Sequence, residues 1–298
     1  MQLVHYHHLH NSKFDCLYIL PMCQHMGKII YKERIKMLPY ITIFGRIVPT
    51  YGLLALIGII VAICFGIFYF SRFYDIKKED VFYASMFAMI GIGLGAKLLY
   101  IITILPDLIQ NFNTLDWKTV IPRLLQGGFV FYGGLIGGVI GLYVYAKSFK
   151  ISFKKLCMIL IPVVPIFHSI GRIGCLLAGC CHGREYHGFG SITFYNTQLA
   201  PIGVPLFPMQ IVESICNLII FITILATYKR FKGTYKTIAL YAVLYSVVRF
   251  ILEFFRGDAV RGIIVLSTSQ WISIAFFIVG ICLFIYESKN KNKEITNS

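Results

Sequence analysis

Seven apolar segments dominate the sequence, each about long enough to cross the roughly 30 Å hydrocarbon core of a bilayer. They lie near residues 48–70, 81–105, 127–146, 156–179, 206–228, 237–255 and 263–286. Backbone groups that face lipid must bond within their own segment, so each segment is expected to be a helix. We therefore predict an all-α polytopic membrane protein with seven transmembrane helices. A hydrophobic content of 57% excludes an ordinary soluble domain.

The loops between these segments differ in their content of Lys and Arg. One alternating set, together with the C-terminal tail, holds 14 of these residues, and the other set holds 5. Because basic loops stay in the cytoplasm, we predict a cytoplasmic C-terminus and a first span that starts outside. The net charge of +15 follows from this topology and suits contact with anionic membrane lipids. Nucleic acid is not an expected partner.

Residues 1–36 differ from the rest of the chain, since they hold five of its eight histidines. They lack a contiguous apolar core followed by a small-residue cleavage site, so they do not resemble a signal peptide. We expect a disordered tail or a misassigned start, with Met37 as the alternative first residue. Residues 37–288 then form the seven-helix domain, and residues 289–298 form a cytoplasmic tail.

Polar side chains within the spans are predicted to share the outer half of the membrane. A charged side chain at membrane depth is costly unless it is paired or faces water, so such residues mark a candidate functional site. The members of this set are Tyr51, Lys97, Tyr132, Arg172, Gln210, Glu213, Arg249, Glu253 and Arg256. Their origin in six different spans predicts one shared cavity.

The arginines of this set suggest an anionic ligand. Arg249, Glu253 and Arg256 are spaced to share one face of the sixth span, where an ion pair that only holds the helix is the alternative interpretation. With Arg172 added, one glutamate faces three arginines, and the surplus guanidinium charge suits bidentate contact with a phosphodiester. Lys97 adds a further positive charge. The expected ligand is an anionic phospholipid head group.

Glycines crowd the second and third spans, and their main expected role is close helix packing. Gly133 and Gly134 follow Tyr132 directly and are additional candidates for backbone contact with a ligand.

A cluster of cysteines and histidines follows Arg172. Zinc ligands usually come as two spaced pairs, and a second pair is missing beside Cys175, Cys180 and Cys181. A covalent cysteine nucleophile also lacks an identifiable base. We therefore predict that these cysteines pack a tight helix–loop junction and that the protein uses neither a metal nor another cofactor.

Six motifs in order give the chain a specific resemblance. They are Tyr51-Gly-Leu-Leu, Gly95-Ala-Lys-Leu, Tyr132-Gly-Gly-Leu-Ile-Gly, Gly171-Arg172-Ile-Gly-Cys-Leu-Leu-Ala-Gly-Cys-Cys-His-Gly183, Pro208-Met-Gln-Ile-Val-Glu213 and Arg249-Phe-Ile-Leu-Glu-Phe-Phe-Arg256. Over about residues 40–286 the chain resembles the prolipoprotein diacylglyceryl transferases.

The resemblance implies transfer of a diacylglyceryl group from phosphatidylglycerol to the lipobox cysteine of a prolipoprotein. A thioether forms, glycerol 1-phosphate is released, and the location is the bacterial plasma (inner) membrane. On this basis Arg172 and Arg249 bind the phosphate, and Glu253 orients Arg249 or assists the base. Tyr132 is the fourth expected catalytic residue. The other substrate contacts come from Tyr51, Lys97, Gly133, Gly134, Gln210, Glu213 and Arg256.

Three positions depart from the family pattern. Tyr132 stands where histidine is common, Cys175 or Ala178 replaces an asparagine, and Lys97 replaces an arginine. Tyrosine is a poor base at neutral pH, so the identity of the base stays open.

Two other functions also stay open. One is a diverged transferase that uses another acceptor, and the other is a non-catalytic transporter of lipid or small anions. A transporter is expected to show internal repeats, and the sequence has no convincing one.

Overall fold

The computed structural model describes residues 38–110, 118, 121–122, 124, 130–195, 197, 199–257 and 265–296. Within these ranges the chain is mainly helical. Eight α-helices are α1 (Thr50–Phe65), α2 (Lys78–Gln110), α3 (Phe131–Ser148), α4 (Phe153–Leu160), α5 (Val164–Ala178), α6 (Met209–Tyr228), α7 (Lys236–Glu253) and α8 (Thr268–Thr296). The predicted N-terminal extension, residues 1–36, lies outside the described residues, and so does Met37.

Irregular turns extend two of these helices. A wide turn over Gly66–Phe70 and a tight one over Ser71–Phe73 continue α1. A single tight turn, Ile161–Val163, joins α4 to α5, and Pro162 and Pro165 lie at this junction. Proline cannot donate the backbone hydrogen bond that a continuous α-helix needs there. The fourth predicted span is therefore one rod made of two helices.

Among the residues that the structure describes, five helical rods are long and apolar enough to cross a membrane. They are Thr50–Phe73, Lys78–Pro106, Phe153–Ala178, Met209–Tyr228 and Thr268–Lys289. The other two predicted spans are also helical, but α3 is rich in glycine and α7 contains Lys236, Arg249 and Glu253. The prediction of a mostly helical, polytopic membrane protein is confirmed. The total of seven crossings and their direction stay predictions.

In the described part of the chain, two small antiparallel sheets lie outside the helices, and the all-α prediction missed both. β1 (Tyr40–Ile43) and β2 (Arg46–Pro49) form a hairpin that leads directly into α1. β3 (Ile192–Thr193) pairs with β4 (Pro205–Leu206) in the loop between α5 and α6. Strands this short leave little periodicity in a sequence, so the apolar segments gave no sign of them.

Glycine lets α2 and α3 pack backbone against backbone. A Cβ atom at Gly91 would collide with the carbonyl oxygen of Gly137, and one at Gly95 would collide with that of Gly133. Small residues at such spacing permit close helix approach in lipid. The close packing predicted for these glycines is confirmed.

The opposite ends of the rods differ in chemistry. At one end the rings of Phe70 and Phe73 pack edge-on against Tyr228, with centroids 4.5 and 5.2 Å away. Tyr51 lies nineteen residues before Phe70 on the same rod, about 28 Å away at 1.5 Å per residue. Gln210 likewise lies at the opposite end of α6 from Tyr228. We call the end with Tyr51 and Gln210 the polar end.

Candidate functional site

An ion pair between α5 and α6 lies at the polar end. Arg172 comes from the last turns of α5, and its Nη2 lies 2.8 Å from Oε1 of Glu213 on α6. The Glu213 side chain is 2% exposed, and its Oε2 has no hydrogen-bond partner among the described residues. A buried charge is tolerated when it is paired, so this contact fixes the two side chains against each other.

A second ion pair lies within α7. Nη2 of Arg249 is 2.6 Å from Oε2 of Glu253, one turn later. The same Nη2 donates to Oγ of Ser269 on α8 at 3.1 Å. Nη1 of Arg249 is buried and has no hydrogen-bond partner within the described part of the chain. Nη2 therefore holds the Arg249 side chain in place, and Nη1 is available to donate a hydrogen bond to a ligand.

These two pairs correct the charge count made from the sequence. That count set Glu253 alone against the arginines, but Glu213 neutralises Arg172 directly. The sequence did not indicate this contact, because Glu213 belongs to a different span and is separated from Arg172 by a long loop.

Two stacked aromatic rings, from His168 and Tyr245, lie between the helix faces that carry the two arginines. His168 lies one turn before Arg172, and Tyr245 lies one turn before Arg249, so each ring shares a helix face with its arginine. The rings of His168 and Tyr245 stack with centroids 5.6 Å apart. His168 also stacks on Phe131, at 6.1 Å, and its buried Nδ1 has no hydrogen-bond partner in the described ranges.

Tyr245 occupies the centre of this arrangement. It lies close enough to Arg172, Glu213, Arg249 and Tyr132 to interact electrostatically with each of them. The sequence analysis missed both His168 and Tyr245. Their spacing of four residues before each arginine was the available signal, because that spacing places side chains on one helix face.

The first residues of α6 hold the turn that follows α5. Nε2 of Gln210 donates to the carbonyl oxygen of Cys180 at 2.8 Å. Ser169 of α5 and Ser214 of α6 also connect these two helices. Oγ of Ser214 donates to the Ser169 carbonyl oxygen at 2.8 Å. The α5–α6 interface is therefore connected by polar contacts over several turns.

Three thiols converge at the end of α5. Sγ atoms of Cys175, Cys180 and Cys181 all lie within 4.8 Å of one another. Gly179, with φ of 72°, ends the helix in the left-handed conformation, and Cys181 also has a positive φ of 55°. This reversal folds Cys180 and Cys181 back over the last turn, where the backbone N–H of Cys180 donates to the Cys175 carbonyl oxygen at 3.1 Å.

The remaining predicted residues lie around this centre or in the helix interface. Tyr51 borders the site from α1, where its ring lies beside Gly174. Tyr132 starts α3 next to Phe131. Nζ of Lys97 donates to the carbonyl oxygen of Leu124 and lies 5.4 Å above the ring of Tyr100.

Gly133 and Gly134 are buried in the packed interface between α3 and α2. Arg256 follows the end of α7, where its backbone pairs with Gly183 of the α5–α6 loop. The structure thus brings Arg172, Glu213, Arg249 and Glu253 together at one end of the rods.

An apolar groove adjoins this site between α5 and α6. It has a volume of about 220 Å³. Its lining residues are Ile173, Leu176, Gln210, Ile211, Ser214 and Ile215. Ile173 directly follows Arg172, so the groove begins next to the first ion pair.

Comparison with known proteins gives a consistent result. The family model described as prolipoprotein diacylglyceryl transferase matches residues 39–286. A phosphatidylglycerol–prolipoprotein diacylglyceryl transferase 2 from Clostridium perfringens is 36% identical over 260 residues, which is 85% of this chain and 96% of that protein. The transferase of Clostridium tetani is 34% identical over 242 residues, covering 81% and 94%.

The transferase of Clostridioides difficile is 32% identical over 253 residues, covering 84% of this chain and 96% of its own length. Matches at this level over most of both chains bear out the resemblance read from the six motifs. The chain belongs to the prolipoprotein diacylglyceryl transferase family.

Proposed function

We propose that this protein transfers the diacylglyceryl group of phosphatidylglycerol to the lipobox cysteine of prolipoproteins. The acceptor thiol releases its proton to water, and its sulfur forms a bond to the glycerol carbon that carries the phosphodiester. The carbon–oxygen bond to phosphate breaks, its electron pair leaves with the oxygen, and glycerol 1-phosphate is released. The observation that carries the proposal is the convergence of Arg172 and Arg249, each held by a carboxylate, on the same pair of aromatic rings.

The arginines stabilise the leaving group. Negative charge accumulates on the phosphate as the carbon–oxygen bond breaks, and fixed guanidinium donors at that point lower the barrier. Glu213 and Glu253 hold the two side chains in place before the lipid arrives, so little reorganisation is needed. Nη1 of Arg249, which lacks a hydrogen-bond partner among the described residues, is the donor best placed for a phosphate oxygen.

Other residues at the polar end have supporting roles in this proposal. Tyr51 and Tyr132 line the head-group site, and Gln210 positions the turn after α5. Lys97 and Arg256 add positive charge near the site. Two further positions, Gly133 and Gly134, act by bringing α3 against α2, which fixes the location of Tyr132.

The groove between α5 and α6 suits one acyl chain of the lipid. Its lining is mainly apolar, and the side chains of Ile211 and Ile215 are exposed on the outer surface of α6. A chain that lies there leaves the head group beside Arg172.

Membrane placement completes the proposal. The protein crosses the bacterial plasma membrane seven times, with the polar end outside and the C-terminus in the cytoplasm. This direction follows from the excess of basic residues in alternate loops. It brings the site to the side where the cysteine of an exported precursor emerges.

The decisive experiment is incubation of the purified protein with labelled phosphatidylglycerol and a lipobox peptide. A thioether-linked product and an equal amount of glycerol phosphate are expected. The matched control replaces the peptide cysteine by serine. A product formed equally well on unrelated thiols would indicate a diverged transferase, and labelled lipid that moves between vesicles without any product would indicate a transporter.

A further inference from the structure

The three-cysteine cluster has the dimensions of a metal site. In a tetrahedral zinc centre the sulfur ligands lie about 2.3 Å from the metal, which places them roughly 3.8 Å from one another. The thiols of Cys175, Cys180 and Cys181 already lie within 4.8 Å of one another. A contraction of less than about 1 Å would therefore bring all three onto one ion. Cys175 is buried, and the other two are partly accessible.

The two-pair ligand spacing that this sequence lacks belongs to closed, structural zinc sites. Two spaced cysteine pairs supply four ligands and close the coordination shell, as structural zinc requires. Three protein ligands leave the fourth position open, as catalytic zinc requires. The missing second pair therefore excludes a closed site and leaves an open one possible.

The cluster also lies beside the head-group site. Cys175 follows Arg172 by three residues and shares its helix face. Gln210 holds the Cys180 carbonyl oxygen, and Glu213, one turn later, holds Arg172. The first turns of α6 thus fix the cysteine turn and the arginine relative to each other.

Two arginines lie beside the cluster. Arg172 is close enough to interact electrostatically with Cys175 and Cys181, and Arg256 is close enough to Cys181. A zinc ion with three thiolates carries a net charge of about −1, and a fourth thiolate makes it about −2. Nearby guanidinium groups offset this charge.

On the basis of the proposed function, we infer that Cys175, Cys180 and Cys181 bind a zinc ion whose open position accepts the cysteine sulfur of the prolipoprotein. A thiol that coordinates zinc is deprotonated outright, and its proton passes to water. The bound thiolate then attacks the glycerol carbon while the phosphate leaves toward the arginines. The product sulfur is a neutral thioether, a weaker ligand than a thiolate, and it dissociates from the metal.

This role accounts for Tyr132. A histidine at this position could accept a proton near neutral pH, whereas tyrosine cannot readily do so. A metal that ionises the acceptor directly removes the need for a side-chain base at this position.

The test uses the full chain, stripped of metal with a chelator and reloaded with zinc or cobalt(II). We expect about one metal ion per chain and a sulfur-to-cobalt charge-transfer band that changes when the lipobox peptide is added. The serine form of the peptide should leave the band unchanged. Cys181→Ser should abolish stoichiometric binding, while Cys157→Ser and Cys216→Ser, outside the cluster, should retain it.

Several outcomes would overturn the inference. They are absence of metal in the folded wild-type protein, a disulfide between two of the three cysteines, and a cobalt band that ignores the peptide. Full thioether formation by a metal-free triple serine variant would also refute it and leave the transferase function standing. A metal site that responds to the peptide, in a protein that forms no thioether, would instead support the site and refute the transferase function.

Discussion

The protein joins its helices in two different ways. Between α2 and α3, glycines allow backbone to meet backbone, and one polar contact, from the Tyr145 hydroxyl to Oδ1 of Asp80 at 3.0 Å, lies near the start of α2. Between α5, α6 and α7, charged and hydroxyl side chains make the connections, including Arg172–Glu213 and the serine pair. Both arrangements suit a membrane, where apolar surface alone gives helices no reason to associate.

The two interfaces differ in the hydrogen-bonding groups that each leaves available to a ligand. Where the glycines meet, the α2–α3 interface leaves no room for side chains, so that part of it can only hold the helices together. The polar interface keeps donors and acceptors that lack hydrogen-bond partners among the described residues, at His168, Glu213 and Arg249. Unpaired polar atoms are costly to bury, and their concentration at one end of the rods marks a place built to receive a ligand.

The largest expected effect concerns the arginines of the polar interface. Arg172→Lys and Arg249→Lys keep the charge but lose the bidentate contact with phosphate. We expect turnover to fall about 10²–10³-fold, equivalent to about 2–4 kcal/mol, in the transferase assay. Arg72→Lys is the matched control, since Arg72 is exposed and contacts Tyr69 at the other end of the rod. Near wild-type turnover in both site variants would refute the phosphate role.

A smaller effect is expected from the glycine interface, and the quantity affected is the stability of the fold. Gly91→Ala forces a methyl group against the carbonyl of Gly137, and overpacking of this kind costs about 1–3 kcal/mol. The unfolding midpoint in detergent should fall accordingly. Gly93→Ala, two residues along the same helix, meets nothing within 4 Å and should be neutral or slightly stabilising. Equal stability of both variants would show that close packing is unimportant here.

Tyr132 links the two regions, because it starts the glycine-rich helix and borders the polar site. Tyr132→Phe should lose one hydrogen bond and about tenfold in turnover, or roughly 1–2 kcal/mol. Tyr143→Phe, on an exposed part of the same helix, should leave turnover unchanged. A loss above about 10³-fold in a folded Tyr132→Phe protein exceeds one neutral hydrogen bond and would make this tyrosine the base.

The smallest effect is expected from the N-terminal extension. Removal of residues 1–36 should change neither membrane insertion nor turnover, because the family match begins at residue 39. Insertion can be followed by membrane fractionation and turnover by the thioether assay. Loss of either would assign residues 1–36 to the functional protein.

Sequence periodicity was sufficient to predict contacts between residues of the same helix. The pair Arg249–Glu253 was expected from its spacing of four residues, and the apolar segments located the rods to within a few residues. Contacts between helices were harder to predict. Glu213 was identified as a site residue, but its partner Arg172 belongs to another span.

Backbone geometry sets the turn at which the cysteines were expected to pack. On one uninterrupted helix, residues five and six positions apart lie on different faces, so Cys175 would not meet Cys180 and Cys181. Their convergence depends on positive φ angles at Gly179 and Cys181. Glycine is the usual residue at such a helix end, so Gly179 was a signal of the reversal, whereas the positive φ of Cys181, which cysteine seldom adopts, was not predictable.

The two ion pairs also affect the release of the phosphate product at the end of each catalytic cycle. The lipid substrate brings one negative charge, whereas the phosphate monoester product brings nearly two at neutral pH. Arginines alone would hold the product more tightly than the substrate, which slows turnover through product inhibition. Glu213 and Glu253 compete for the same guanidinium donors and repel the more highly charged product more strongly. In the proposed reaction, we therefore expect the carboxylates that hold the arginines at rest also to speed the departure of the spent head group.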